Sequence, residues 1–155
     1  MKNITVASRI AFLAGVFSLV LTAVAPSARA QYSYYALTPC RVVDTRNANG
    51  VDGGPILGSF SQRSFTVRGV CGVPTTAKAV SLNLAITGMT AGGFVTLWPS
   101  GLTRPVVSSI NFSGTEPALS NGAIVGLSTN AQDLSVYDGS PSSVHIILDV
   151  TGYFQ

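Results

Sequence analysis

The stretch "AVSLNLAIT", residues 79–87, constrains this chain more than any other. Val80, Leu82, Leu84 and Ile86 fall on one side of an extended backbone, and Ser81, Asn83, Ala85 and Thr87 fall on the other. A period of two with one apolar side is the pattern of a strand that lays a single face into a core. Near the C-terminus Val144, Ile146, Leu148 and Val150 repeat it against His145, Ile147, Asp149 and Thr151. Helical periodicity is almost absent after residue 30. Short runs rich in β-branched and aromatic residues are separated by turn formers at 91–93, 99–101, 113–115 and 138–141.

This punctuation predicts strands at 32–37, 40–45, 62–68, 78–87, 93–98, 107–112, 121–128, 133–137 and 143–151. Eight to nine short strands with no interleaved helices predict an all-β fold, an antiparallel β-sandwich of Greek-key or jelly-roll type. A transmembrane β-barrel would need strands of ~9–11 residues with a lipid-facing band. Most runs here are shorter, and prolines interrupt them.

The first thirty residues read differently. Lys2 and Arg9 precede an apolar stretch from Ile10 to Ala25, and Ala28-Arg29-Ala30 supplies a small-x-small cleavage site. That is the layout of a secretory signal peptide. A spanning helix would want ~20 apolar residues and no cleavage signature. Residues 1–30 are therefore expected to leave, and residues 31–155 to form one domain, exported to the periplasm, cell surface or medium without a transmembrane anchor.

Cleavage also changes the charge. The chain holds nine basic and six acidic residues, but Lys2, Arg9 and Arg29 leave with the signal. Six bases then face six acids, a balance that gives nucleic acid or an anionic membrane no electrostatic handle. Both cysteines, Cys40 and Cys71, lie in the exported part, where a lone pair most simply forms one disulfide. Redox or metal roles fit poorly, because no CxxC is present and His145 is the single histidine.

Catalytic constellations are hard to assemble. On a strand His145 and Asp149 would stand ~13 Å apart, too far for a triad's hydrogen bond, and no GxSxG marks a nucleophile. Asp44 and Asp149 have apolar flanks, yet Arg41 and Arg46 beside them suit ionised partners rather than a general acid. Asp44, Asn47, Asn49 and Asp52 suggest calcium, but Thr45 and Ile56 would occupy the first and last ligand positions of an EF-hand loop. No metal, cofactor or catalytic residue is expected. Trp98, Tyr32, Tyr34 and Tyr35 are the candidates for stacking on a sugar. Asn111-Phe112-Ser113 matches a glycosylation sequon within an expected strand.

Six segments carry a resemblance: "LTPCRVVDTR", "CGVP", "AKAVSLNLAITG", "VTLWPSG" with "SSINF", and "VHIILDVTGYF". They are spread from Leu37 to Phe154, and in this order the chain resembles a family of secreted bacterial β-domains, found alone or joined to other extracellular modules. The resemblance implies an all-β sandwich and an exported location, not an activity.

In "ALTPCRVVDTR", strand alternation sets Asp44 and Arg46 on one face, ~6–7 Å apart, within reach of each other or of Asp149. The expectation is a partly buried ion pair among Arg41, Asp44, Arg46 and Asp149 beside the disulfide. The expected function is that of a non-catalytic structural or adhesive surface module. The alternatives are a carbohydrate-binding module, and a subunit of an extracellular polymer that self-associates through "QYSYYAL" at a neighbour's sheet edge. Cell-surface glycans and other extracellular proteins are the expected partners.

Overall fold

A computed structural model describes residues 31–155. The expected signal peptide lies outside the described residues. The strands are β1 (Tyr34–Asp44), β2 (Gln62–Phe65), β3 (Ala79–Thr87), β4 (Gly93–Pro99), β5 (Ile110–Phe112), β6 (Ala118–Gly126), β7 (Leu134–Asp138) and β8 (His145–Phe154). They form two four-stranded antiparallel sheets, ordered β1-β8-β3-β6 and β2-β7-β4-β5. β1 pairs with β8, β2 with β7, β3 with β6 and β4 with β5. The chain is thus one long hairpin, out along β1–β4 and back along β5–β8, rolled until β8 meets β3 and β7 meets β4. That is the jelly-roll arrangement.

The alternating strands supply the core between the sheets. Leu82, Leu84, Ile86, Leu134, Ile146 and Leu148 are fully buried, and Phe65 is buried with them. Each such side chain stabilises the fold by ~1.5–3 kcal/mol through removal from water. β3 and β6 pair through nine consecutive positions without a shift.

β1 differs from the expectation of two strands at 32–37 and 40–45. It is one strand, with register shifts between Ala36 and Cys40 and between Arg41 and Val43. Pro39 cannot donate to a ladder, so the chain bulges there and resumes pairing. β5 is shorter than expected because residues 107–109 belong to a strap across the second sheet. β2 ends at Phe65, where Asp133 accepts from the main-chain N–H groups of Val67 (2.6 Å) and Arg68 (2.7 Å). Asp133 also takes a salt bridge from the Arg68 guanidinium at 2.5 Å, and Arg68 bonds the Ser128 carbonyl.

Candidate functional site

Four side chains flanking the disulfide form the densest charge cluster of the described residues. Three residues of separation would put Arg41 and Asp44 on opposite faces of a regular strand. The bulge beside Val42 shifts the phase, and Arg41 Nη1 reaches Asp44 Oδ2 at 3.2 Å. Arg41 also holds Asp149 on β8 with two parallel bonds of 2.8 and 3.1 Å. Arg46 does the same to Asp44, at 2.8 and 2.6 Å, and adds its main-chain N–H at 3.1 Å. Every oxygen of both carboxylates therefore has a partner. Asp44 is 5% exposed, while both arginines are about half exposed. The Arg46 hydrogen bonds outweigh burial and hold the Asp44 carboxyl at about 2. Cys40 is bonded to Cys71 across a Cα separation of 5.7 Å and ties this end of β1 to the turn after β2.

Beside the cluster, residues 45–57 form a loop built around a cation supplied by the protein. Arg63 of β2 donates to the carbonyls of Gly50 (2.5 Å), Val51 (2.9 Å), Gly53 (2.7 Å) and Pro55 (3.3 Å). A guanidinium fork thus sits where converging carbonyls would otherwise attract a metal ion. Asp52 Oδ1 is buried without a partner, and burial raises this carboxyl despite the Arg63 charge. Among the described residues no three His, Cys, Asp or Glu side chains gather as a metal cluster.

The stacking candidates separate. Trp98 is a correction to the expectation, because it is only 4% exposed. Residues 100–109 lie across the outer face of the second sheet. The Trp98 indole donates to the Leu102 carbonyl at 3.0 Å, and the Thr96 hydroxyl to that of Val107 at 2.6 Å. No face of the indole is left for a sugar. Tyr34 and Tyr35 are about half exposed, but they close the β1–β8 seam. Tyr34 packs on Phe154 with ring centroids 5.1 Å apart, and Tyr35 stacks on Tyr153 at the same distance. A Cβ on Gly152 would come within 2.4 Å of the Tyr34 ring, so glycine is needed for that ring to lie across β8. Within "QYSYYAL", Tyr34, Tyr35 and Ala36 are thereby paired with β8, and Ser33 and Gln155 exchange main-chain bonds. Tyr32 precedes the strand, half exposed.

The surface feature that the sequence reading missed is the strap itself. Arg104 lies 3.7 Å over the Tyr137 ring, and Phe94 packs against the same ring. Between strap and sheet runs a groove of about 290 Å³ lined by Phe94, Arg104, Pro105, Val106, Val107 and Asn111 among others. Val106 is fully exposed, and Leu102 and Val107 are more than half exposed. The signal for it was "LTRPVV", whose Leu102, Pro105, Val106 and Val107 follow no period of two, so periodicity cannot place them.

His145 meets Thr45 rather than an acid, with Nδ1 3.2 Å from Oγ1, and that hydroxyl accepts from the Ile146 N–H at 2.8 Å. Asp138 is wholly buried at the end of β7. Its Oδ1 accepts from the Ser140 N–H at 3.0 Å, while Oδ2 has no partner. Burial is the main cause that raises its carboxyl to about 6, against the lowering effect of the Ser140 bonds.

Fold and site together define a disulfide-stapled jelly-roll β-sandwich with self-neutralised charge clusters and an apolar strap. A scan against protein-family models finds no match, and a search of curated proteins finds none either.

Proposed function

We propose that the chain is an exported, non-catalytic β-sandwich acting as a structural or adhesive module at the cell surface or outside the cell. The observation that supports this is where its ionisable side chains go. Arg41, Arg46, Asp44 and Asp149 hold one another, Arg63 gathers loop carbonyls, and Arg68 and Asp133 clamp the end of β2. Glu116 closes its own turn by accepting from Ser113, Gly114 and Thr115. These guanidinium and carboxylate groups fasten loops to sheets, while Asp52 and Asp138 each keep one buried oxygen without a partner. The surface offers exposed apolar side chains, among them Leu102, Val106 and Val107 on the strap, Ile124 on β6, and Val51 and Phe60 in the loop before β2. The resemblance to secreted bacterial β-domains supports the same reading. Fractionation of the expressing cell is the test. The protein is expected in the envelope or medium, beginning at Gln31, and cytoplasmic protein that keeps Met1 overturns the reading.

The second reading, a carbohydrate-binding module, is favoured by the groove under the strap rather than by Trp98. Phe94 offers an apolar wall, and Arg104 and Asn111 offer donors. Glycan-array binding that Asn111→Ala with Val106→Asp abolishes would support it. An empty array with folded protein rejects it.

A further inference from the structure

A sandwich has four sheet edges, and each exposes a row of main-chain N–H and C=O groups that can recruit another strand. Three edges of this one are blunted. β1 carries two register shifts, Pro39, Arg41 and the disulfide at Cys40. β2 is four residues long, and its Arg63 is bonded into the 45–57 loop. β5 is three residues long.

β6 carries none of these devices. It runs for nine residues, "ALSNGAIVG", and matches β3 position for position from Ala118–Thr87 to Gly126–Ala79. It holds no proline and no charged residue, and the uncharged run continues from Pro117 to Gln132. Among the described residues, no main-chain group of 118–126 bonds anything beyond the β3 ladder. The side chain of Asn121 donates to the Ser109 carbonyl just before β5 at 2.7 Å, which ties the strand to the neighbouring sheet.

We propose that the outer edge of β6 pairs antiparallel with the β6 edge of a second copy of this chain, joining two β1-β8-β3-β6 sheets into one continuous sheet. The partner is a second copy because an antiparallel edge satisfies its own donors and acceptors across a two-fold axis. Residues 31–155 also balance in charge, six bases against six acids, so two copies approach without long-range repulsion. The midpoint of the strand is Gly122, where an added Cβ would meet nothing within 4 Å. An axis there sets Ile124, 68% exposed, beside Ser120 of the second copy. The contact is isologous and closes at two copies. It extends the surface-module reading and rests on it only for an oxidising compartment in which the disulfide forms.

The test is sedimentation equilibrium of the protein purified after export, disulfide intact, over a concentration series. A reversible monomer–dimer equilibrium is expected. Gly122→Lys places like charges opposite each other on the axis and should weaken the dimer at least tenfold, on the order of 1.4 kcal/mol. Ile124→Lys should weaken it as well. Both sites are solvent-facing, and an unchanged melting temperature of the monomer confirms folding. Val106→Lys, on the exposed apolar strap, should leave the dimer intact. Monomer at every concentration overturns the proposal, as does a dimer that survives both β6 variants or is lost in Val106→Lys. Envelope location and glycan binding are read independently of mass, so failure here is distinguishable from failure of the functional reading.

Discussion

Two aspartates place opposite demands on pH. Asp44, held at about 2 by Arg46, adds stability above the ordinary carboxylate value of 3.8, and that stability is lost as pH falls through about 2. Asp138 behaves in reverse. Its carboxyl is raised by burial to about 6, so between 3.8 and about 6 the folded chain keeps a proton that the unfolded chain releases. Stability from this group is complete below 3.8 and declines as pH rises through 6. The decline amounts to about 2–3 kcal/mol, because Asp138 is fully buried and one of its oxygens has no partner. Asp138→Asn keeps the acceptor for the Ser140 N–H and removes the charge. Urea midpoints of the variant should vary less between pH 4 and 7, and at pH 7 it should be the more stable protein. A slope equal to that of the parent would show that Asp138 is not the titrating group. For Asp44 the partners were legible in the sequence, since Arg41 and Arg46 lie within three residues of it. For Asp138, which also ends an apolar run, nothing local announced its burial. Asp44 receives two guanidinium groups, and Asp138 receives a single N–H.

The loop at 45–57 and the turn at Cys71 show how irregular elements are held. Arg63→Ala removes four hydrogen bonds to loop carbonyls and should cost about 1–3 kcal/mol, discounted because the arginine is partly exposed. Limited proteolysis should then cut within 47–57, where the parent resists, and equal resistance would show that the staple alone holds the loop. The disulfide spans a sequence separation of 31. On the chain-entropy model it contributes ~3–4 kcal/mol. Reduction should lower the melting temperature by on the order of 10 °C, read by circular dichroism with and without reductant, and an unchanged value would refute a stabilising staple. Cys71 holds φ at +54°, a left-handed conformation between Gly69 and Gly72, where the disulfide pins a residue that would otherwise avoid it. Strand existence was legible from the period of two. Bulges were not, since a bulge inserts a residue without altering the composition that alternation depends on. The expected break between 32–37 and 40–45 was such a bulge, at Pro39.

At the scale of the whole molecule, the rolled hairpin brings the described termini together. Tyr34, Tyr35 and Ala36 pair with Phe154, Tyr153 and Gly152. Removing residues 31–37 should therefore destabilise the sandwich by at least about 2 kcal/mol through lost cross-strand and aromatic pairs. Chemical denaturation measures this, and undiminished stability would show the seam to be dispensable. By itself the sequence determined an all-β sandwich, because alternating side chains must find a core on one face whatever their neighbours are. It also indicated that Asp44 and Arg46 lie within reach, because two residues is a local distance. β1 ends at Asp44, however, and Arg46 meets it from the turn that follows rather than from the same strand face. The tertiary structure alone decided which strands meet. It placed β8 between β1 and β3, buried Trp98 beneath a strap, set Arg63 among loop carbonyls and left β6 with an open edge. Those outcomes depend on pairings across tens of residues, where many partners share the same local pattern. Only the simultaneous closure of both sheets over one core selects among them.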